Sequence, residues 1–327
     1  AAHIGARDDG ALWNDGQLTQ FKLPSRGHAL ARLRDGKVAL MGRRPGLFAS
    51  IVDPADLSSP QIFQPSKDCR FAGHAAASPD GTVLVTSEFD ANSIEARVVS
   101  RDPKTGAERA RWQLNDIEPH ELLFARSGTH LVVALGGLIK DGGVSGAAFN
   151  PDGVRSAVVE LDPSTGAVLA RHTLAPSLAS LSMRHLALSP DGEIVAIAAQ
   201  DQDLGTTRPL VSLLKIGSEL QPLHMPDARD VDFRGYIGSI TFDSKGNFIA
   251  AASPRGSVLG FWSSNGAWRG ALPIADVCGV TAGIEPETFW ASSGHGGIYK
   301  VVIDKTGPRI AAQWRANAGF DNHLLLI

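Results

Sequence analysis

The sequence lacks the features that would place a protein in a membrane or on nucleic acid. Its apolar runs, such as Leu131 to Leu135, have the length of a strand and fall well short of the roughly 20 residues that a membrane helix needs. It also has no block of like charges, and its net charge is −3. We therefore expect no transmembrane segment, and nucleic acid and anionic membranes are both disfavoured as partners.

Cysteine is scarce as well. The two cysteines, Cys69 and Cys278, form neither a CxxC motif nor a disulfide framework, so they do not identify the redox compartment. The chain starts at Ala1 and Ala2 without a methionine, which fits an exported precursor whose signal peptide has been removed.

Linker segments are missing too. The 327 residues are 43% hydrophobic and 20% charged, which is ordinary globular composition, and no Pro-, Ser- or charge-rich stretch divides them. Because all-β architectures run long as one domain, we predict a single domain over residues 1–327.

What is present is a repeat of about 40 to 50 residues. Each unit opens with an apolar strand, and a hairpin turn follows. The seven openings are Gly27-His28, Gly73-His74, Pro119-His120, Arg184-His185, Ile237-Gly238, Cys278-Gly279 and Asn322-His323. Turn motifs such as Ser78-Pro79-Asp80-Gly81 and Asp102-Pro103-Lys104-Thr105-Gly106 separate short strands rich in Val, Ile, Ala and Leu. A repeat of four strands at this period is typical of a propeller blade.

The two ends of the chain complete the pattern. The C-terminal segment supplies one inner strand, at 321–327, and the N-terminal segment supplies three strands, near residues 3–7, around Trp13 and at 18–23. We therefore predict an all-β, seven-bladed β-propeller whose last blade combines that C-terminal strand with the three N-terminal strands. An open solenoid is the alternative, and the lack of polar capping repeats argues against it. A Gly-rich insertion at 136–155 is either a disordered tip or a lid.

Several ordered motifs carry a family resemblance along the whole chain. They are Arg26-Gly27-His28, Arg43-Arg44-Pro45-Gly46, Gly73-His74, Glu118-Pro119-His120-Glu121-Leu122, Arg184-His185-Leu186-Ala187, Arg234-Gly235-Tyr236, Ser253-Pro254-Arg255-Gly256, Asp276-Val277-Cys278-Gly279-Val280 and Asp321-Asn322-His323. The chain resembles DUF1513, a family of exported bacterial proteins of unknown function. The resemblance implies a YVTN/WD40-like propeller, a periplasmic location and a connection with iron uptake. Family members commonly carry Glu-Asn-Asp where this chain has Glu88-Phe89-Asp90, which weakens a ligand role there.

Five histidines share one position of the repeat. They are His28, His74, His120, His185 and His323, and glycines stand at the other two openings. In a propeller, equivalent positions at the start of the inner strands face the central channel, so these histidines are predicted to form a ring. Neutral imidazole is a common ligand of transition metals and suits iron, copper or zinc. The alternative is structural, because a Gly-His pair fixes the blade in WD-repeat propellers by hydrogen bonding.

Charged residues are predicted around the same channel mouth. The candidate ligand-binding set is Arg44, Glu88, Glu121, Arg184 and Arg255. Arginines beside neutral histidines favour an anion such as a carboxylate, a phosphate or a metal chelate.

The resulting hypothesis is a periplasmic propeller that binds a metal ion, a metal complex or a small anionic ligand and acts in metal handling. A periplasmic redox or metal-uptake protein is a candidate partner. One alternative is a protein-interaction scaffold with structural histidines. Another is a lactonase- or oxidoreductase-like enzyme, which only fold analogy supports, so we do not expect catalysis.

Overall fold

The computed structural model describes residues 2–6, 9–14, 16–138, 153–227 and 231–327. Most of the predicted insertion, residues 139–152, lies outside this range. The described residues form strands and turns, and their one helical element is a 3-10 turn at Pro176–Leu178. None of the described helical structure is long and apolar enough to cross a membrane. The predicted all-β class is confirmed.

The N-terminal strands are β1 (Ala2–Ala6), β2 (Gly10–Asn14) and β3 (Gln17–Phe21). They form a sheet with the C-terminal strand Leu324–Leu326, which pairs antiparallel with β1 so that His3 is opposite Leu326. The predicted pairing of the two ends of the chain is therefore present.

Six further sheets are meanders of four consecutive strands each. The first three contain β4 (Gly27–Arg32), β5 (Val38–Gly42), β6 (Ala49–Asp53) and β7 (Asp56–Phe63); β8 (Cys69–Ala77), β9 (Leu84–Asp90), β10 (Glu95–Arg101) and β11 (Glu108–Ile117); and β12 (Pro119–Phe124), β13 (Leu131–Leu135), β14 (Ala157–Leu161) and β15 (Val168–His172). The next three contain β16 (Leu181–Leu188), β17 (Ile194–Asp201), β18 (Val211–Lys215) and β19 (Leu220–Pro222); β20 (Ser239–Phe242), β21 (Phe248–Ser253), β22 (Val258–Ser263) and β23 (Trp268–Pro273); and β24 (Val277–Ala282), β25 (Thr288–Ser293), β26 (Gly297–Asp304) and β27 (Gly307–Arg315). The C-terminal strand is β28.

The predicted number of seven blades is wrong. The described residues form six blades, and the sheet that joins the two ends of the chain is a small additional sheet. Strands β5 and β13 are buried at every position, as strands covered on both faces are. Strand β28 has three residues, all half-exposed, and β3 is mostly exposed. The C-terminal sequence thus predicted a strand and its pairing with the N-terminal segment correctly, but the prediction that this strand completes a seventh blade is wrong.

The chain divides into two compact units. Unit 1 comprises Ala1–Arg7, Leu12–Thr19 and His185–Leu326, and unit 2 comprises Asp8–Ala11, Gln20–Arg184 and Ile327. In unit 2, one apolar cluster packs Val98, Leu122 and Val133 together. In unit 1, a corresponding cluster includes Phe261 and Phe289. Each cluster joins strands of consecutive sheets.

The predicted hairpin turns are held by aspartates. Asp80 accepts hydrogen bonds from the Ser78 hydroxyl (2.6 Å) and the Thr82 amide (3.0 Å), and Asp102 accepts two backbone amide bonds at 2.9 Å. Asp304 accepts from the amide and hydroxyl of Thr306. Because these bonds favour the ionised form, they lower the pKa of Asp80, Asp102 and Asp304 to about 2.

Candidate functional site

Three of the five predicted histidines lie together in unit 2. His28, His74 and His120 are on β4, β8 and β12, with relative exposures of 8%, 1% and 5%. The ring centroids of His28 and His74 are 5.0 Å apart, and those of His74 and His120 are 4.7 Å apart. Within each of these two pairs, one nitrogen of each ring lies within 4.8 Å of one of the other. The repeat register has therefore brought three buried imidazoles side by side.

A break in strand register occurs at each of these histidines. Pairing with the next strand is irregular between Gly27 and Leu30 in β4, and the same happens across His74 in β8 and across His120 in β12. An irregularity of this kind changes the direction in which a side chain points. The chain thus departs from regular pairing at the residues that form the histidine cluster.

Gly73 makes room for the His28 ring. It has a φ of 105°, a conformation that side-chain-bearing residues rarely adopt. A Cβ added at this position would lie 2.8 Å from Cδ2 of His28. The glycine of the Gly73-His74 pair is therefore required both by its backbone and by the neighbouring imidazole.

A cluster of buried charges lies beside the histidines. The Glu118 carboxylate accepts hydrogen bonds from Nη1 of Arg44 at 3.0 Å and from the Leu138 amide at 2.8 Å. Nη1 of Arg184 lies 2.9 Å from the same carboxylate. The side chains of Arg44, Glu118 and Arg184 are 22%, 1% and 7% exposed. Two guanidinium groups therefore share one carboxylate, which leaves one positive charge in excess.

The local backbone holds Glu118 in this position. Glu118 has a φ of 55°, and its carbonyl accepts a hydrogen bond from the Gly136 amide at 2.8 Å. A Cβ at residue 136 would lie 2.6 Å from Oε2 of Glu118. In unit 1, Asp276 has a φ of 49°, and its carbonyl accepts a 3.0 Å bond from Gly294. In both units, therefore, an acidic residue with a positive φ accepts a hydrogen bond at its carbonyl from the amide of a glycine.

The two arginines affect each other. Burial lowers the pKa of Arg44; the Glu118 carboxylate opposes this shift, and the positive charge of Arg184 adds to it.

Arg184 also links the charge cluster to the histidines. Its Nη2 lies 3.4 Å from Nδ1 of His120. Because a guanidinium group can only donate hydrogen bonds, Nδ1 of His120 is the acceptor. A neutral imidazole that accepts at Nδ1 carries its proton on Nε2, so His120 offers an N–H on its other side.

The other two predicted histidines lie in unit 1. His185, on β16, is 1% exposed, and its ring centroid is 5.1 Å from that of His323, which precedes β28. The two glycines at the equivalent openings contact the same C-terminal segment. A Cβ at Gly238 would lie 2.9 Å from Nδ2 of Asn322, and one at Gly279 would lie 2.9 Å from Cβ of Leu324. A side chain at either position would therefore approach the C-terminal segment closely.

Glu88 is committed to a structural contact. It is fully buried and accepts hydrogen bonds from Arg101, from the Thr86 hydroxyl (2.9 Å) and from the Ser66 amide (2.8 Å). Arg101 in turn lies over the ring of Phe71, 5.3 Å from its centroid. The predicted ligand role of Glu88 stays a prediction, and the contacts that the structure shows are with buried structural groups.

The remaining predicted residues are more accessible. Arg255 is exposed, and its guanidinium lies 4.7 Å from the ring centroid of Tyr236. The Tyr236 hydroxyl accepts a 2.6 Å hydrogen bond from Asn322. Glu121 is half-buried on β12, directly after His120. Their predicted roles in ligand binding stay predictions.

Comparisons with known proteins agree with the fold. The family described as "Protein of unknown function (DUF1513)" matches residues 21–327. The chain belongs to this family. No curated protein matches this DUF1513 protein. Among solved structures it is similar to Kuenenia stuttgartiensis hydrazine synthase, with a TM-score of 0.69 and 12% identity over 95% of this chain and 90% of that one.

A second similar structure is a chain of a mitotic checkpoint complex, with a TM-score of 0.65 and 12% identity over 90% of this chain and 79% of that one. At such identities the likeness shows the fold alone. The DUF1513 protein is a β-propeller of unknown function that contains clusters of histidine and arginine.

Glu118 is the site residue that sequence reasoning missed. It lies in the Glu118-Pro119-His120-Glu121 motif, from which only His120 and Glu121 were predicted as site residues. An acidic residue also stands close before another opening, where Asp276 precedes Cys278-Gly279 by two positions, and this recurrence is the sequence signal that could have identified Glu118.

Proposed function

We propose that this DUF1513 protein binds a transition-metal ion through imidazole nitrogens at the starts of its inner strands. The observation that carries this proposal is the buried pair of His28 and His74 in unit 2, whose ring centroids are 5.0 Å apart. His28 and His74 are the principal donors, and His120 lies next to His74.

The donor chemistry suits copper, zinc or iron, which accept neutral imidazole readily. Zinc binds imidazole nitrogen at about 2.0–2.1 Å, so two ligated nitrogens of a tetrahedral site are about 3.4 Å apart. One potential donor atom of His28 and one of His74 lie within 4.8 Å of each other. The irregular pairing at each histidine also supports a specific requirement for its orientation.

The test is metal uptake by untagged protein that has been stripped with a chelator. Cu²⁺, Zn²⁺ and Fe²⁺ are titrated one at a time, and bound metal is measured by elemental analysis after gel filtration. We expect saturable uptake of at least one of these ions, and the H28Q/H74Q double variant should lose it.

The control is His172→Gln. His172 lies in the same unit, and its Nε2 lies 2.9 Å from Glu160, so this substitution removes an imidazole from outside the cluster. Native protein that takes up none of the three ions would refute the proposal. So would a double variant that binds as much metal as H172Q, and the histidines would then be structural.

The setting of this activity follows from the family resemblance alone. We propose a periplasmic protein that acts in the handling of iron or another metal. Fractionation of cells that express the full-length gene product, with detection in the periplasmic fraction, tests the location; recovery in the cytoplasmic fraction would contradict it.

A further inference from the structure

The charge cluster beside the histidines poses a problem for a bare metal cation. Arg44 and Arg184 carry two positive charges, and Glu118 supplies one negative charge. A dication placed beside His120 would meet this excess positive charge in a poorly solvated environment, where repulsion is strong. The excess charge would be neutralised if an anion were bound at the same place.

The hydrogen bond to His120 also supports an anion at this place. A histidine that binds a metal commonly donates its other N–H to an acceptor. Here Nδ1 of His120 instead accepts from Arg184 at 3.4 Å, so its Nε2 carries a proton and has no lone pair for a metal. In this arrangement His120 does not bind a metal ion, and its contact with Arg184 keeps that positive charge beside the histidines.

We infer that Arg44 and Arg184 form a binding site for a small oxyanion, a carboxylate or a phosphate, beside His120 and next to the metal-binding histidines. The inference builds on the proposed function, because it identifies the cargo as a metal ion accompanied by an anionic ligand. The anion site itself requires no metal. Guanidinium groups match carboxylate and phosphate oxygens in pairs, and burial of Arg184 makes such bonds strong.

Glu118 then orients both guanidinium groups, and its negative charge limits the excess positive charge of the cluster to one unit. Its own position is fixed by the Leu138 amide on Oε2 and by the close approach of Gly136. Neutralising Glu118 raises the excess to two charges, so anion affinity increases if the cluster is a binding site. If the cluster is only structural, neutralising Glu118 does not change the affinity of the protein for anions.

The experiment is isothermal titration of metal-stripped, untagged protein with inorganic phosphate and, separately, with citrate at low ionic strength. We expect saturable binding of at least one probe. Glu118→Gln should tighten binding at least about fivefold, because it removes a nearby negative charge. Arg44→Gln should weaken it at least about tenfold, because one charged donor is lost while Glu118 still pairs with Arg184.

Matched controls come from the exposed pair of Arg171 and Asp116, which are joined by two hydrogen bonds of 2.7 Å. Asp116→Asn and Arg171→Gln make the same changes in net charge outside the cluster, and we expect each to stay within about twofold of the native affinity, since surface charges are screened. If the E118Q variant does not fold, the R44Q variant still tests the inference.

The inference is overturned if neither probe saturates the native protein, or if R44Q and E118Q bind no differently from their controls. The H28Q/H74Q variant separates the two proposals, since it should lose metal and keep the anion. Anion binding without any metal uptake would refute the proposed function alone, and metal uptake without anion binding would refute this inference alone.

Discussion

The buried pair of Glu88 and Arg101 gives the sharpest stability prediction. Glu88 is 0% and Arg101 2% exposed, and the carboxylate accepts hydrogen bonds from the Arg101 guanidinium, the Thr86 hydroxyl and the Ser66 amide. Glu88→Gln keeps the shape of the side chain and removes its charge. Arg101 is then left as a buried charge without its counter-ion, and breaking such a pair costs about 3–5 kcal/mol.

The assay is urea unfolding followed by tryptophan fluorescence and circular dichroism. A protein of this size loses several kcal/mol of stability per molar urea, so the midpoint should fall by roughly 1 M. Asp116→Asn is the control, because its partner Arg171 is 43% exposed in the side chain, and such pairs contribute at most about 1 kcal/mol. Metal uptake of folded E88Q should equal that of the native protein. If the midpoint shift of E88Q is no larger than that of D116N, Glu88 has no structural role and the reasoning fails.

Two further predictions concern a glycine and the turn aspartates. Gly73→Ala should destabilise the fold by about 1–2 kcal/mol through its positive φ and should also weaken metal binding, since the new Cβ would lie 2.8 Å from the His28 ring. Gly36→Ala, with a φ of 87° and no atom within 4 Å, should lower stability and leave metal affinity unchanged; equal metal affinity in both variants would contradict the account. The three turn aspartates have folded pKa values of about 2, below the unfolded value of about 3.9. Their contribution to folding stability is therefore present above pH 4 and is lost as the pH falls toward 2. The triple Asn variant should accordingly show a smaller drop in Tm over that range than the native protein. An equal drop in the two proteins would refute this assignment.

The histidine cluster could be predicted because the repeat fixes its register. A strand opening that recurs every 40 to 50 residues brings His28, His74 and His120 to equivalent places, and the structure places them side by side in unit 2. The turns were predictable for a local reason: Asp and Gly specify them through their own hydrogen bonds and backbone preferences.

The blade count failed because a sequence pattern does not measure packing. The apolar C-terminal residues have the composition of an inner strand, yet only Leu324–Leu326 pair, and they remain half-exposed. The sequence also could not predict which charged residues form ion pairs. Arg44 is 74 positions before Glu118 in the chain, and the periodicity of the strands carries no information about which charges meet.

The most direct test of the central claim is X-ray absorption at the metal edge of protein loaded with the ion it takes up best. The account predicts a first shell of nitrogen at about 2.0–2.1 Å, if that ion is zinc, with the scattering pattern of imidazole. It also predicts that His28→Gln and His74→Gln each remove imidazole from that shell, while H172Q leaves it unchanged. A first shell of oxygen alone, or one that neither substitution alters, would contradict the claim that these histidines bind the metal.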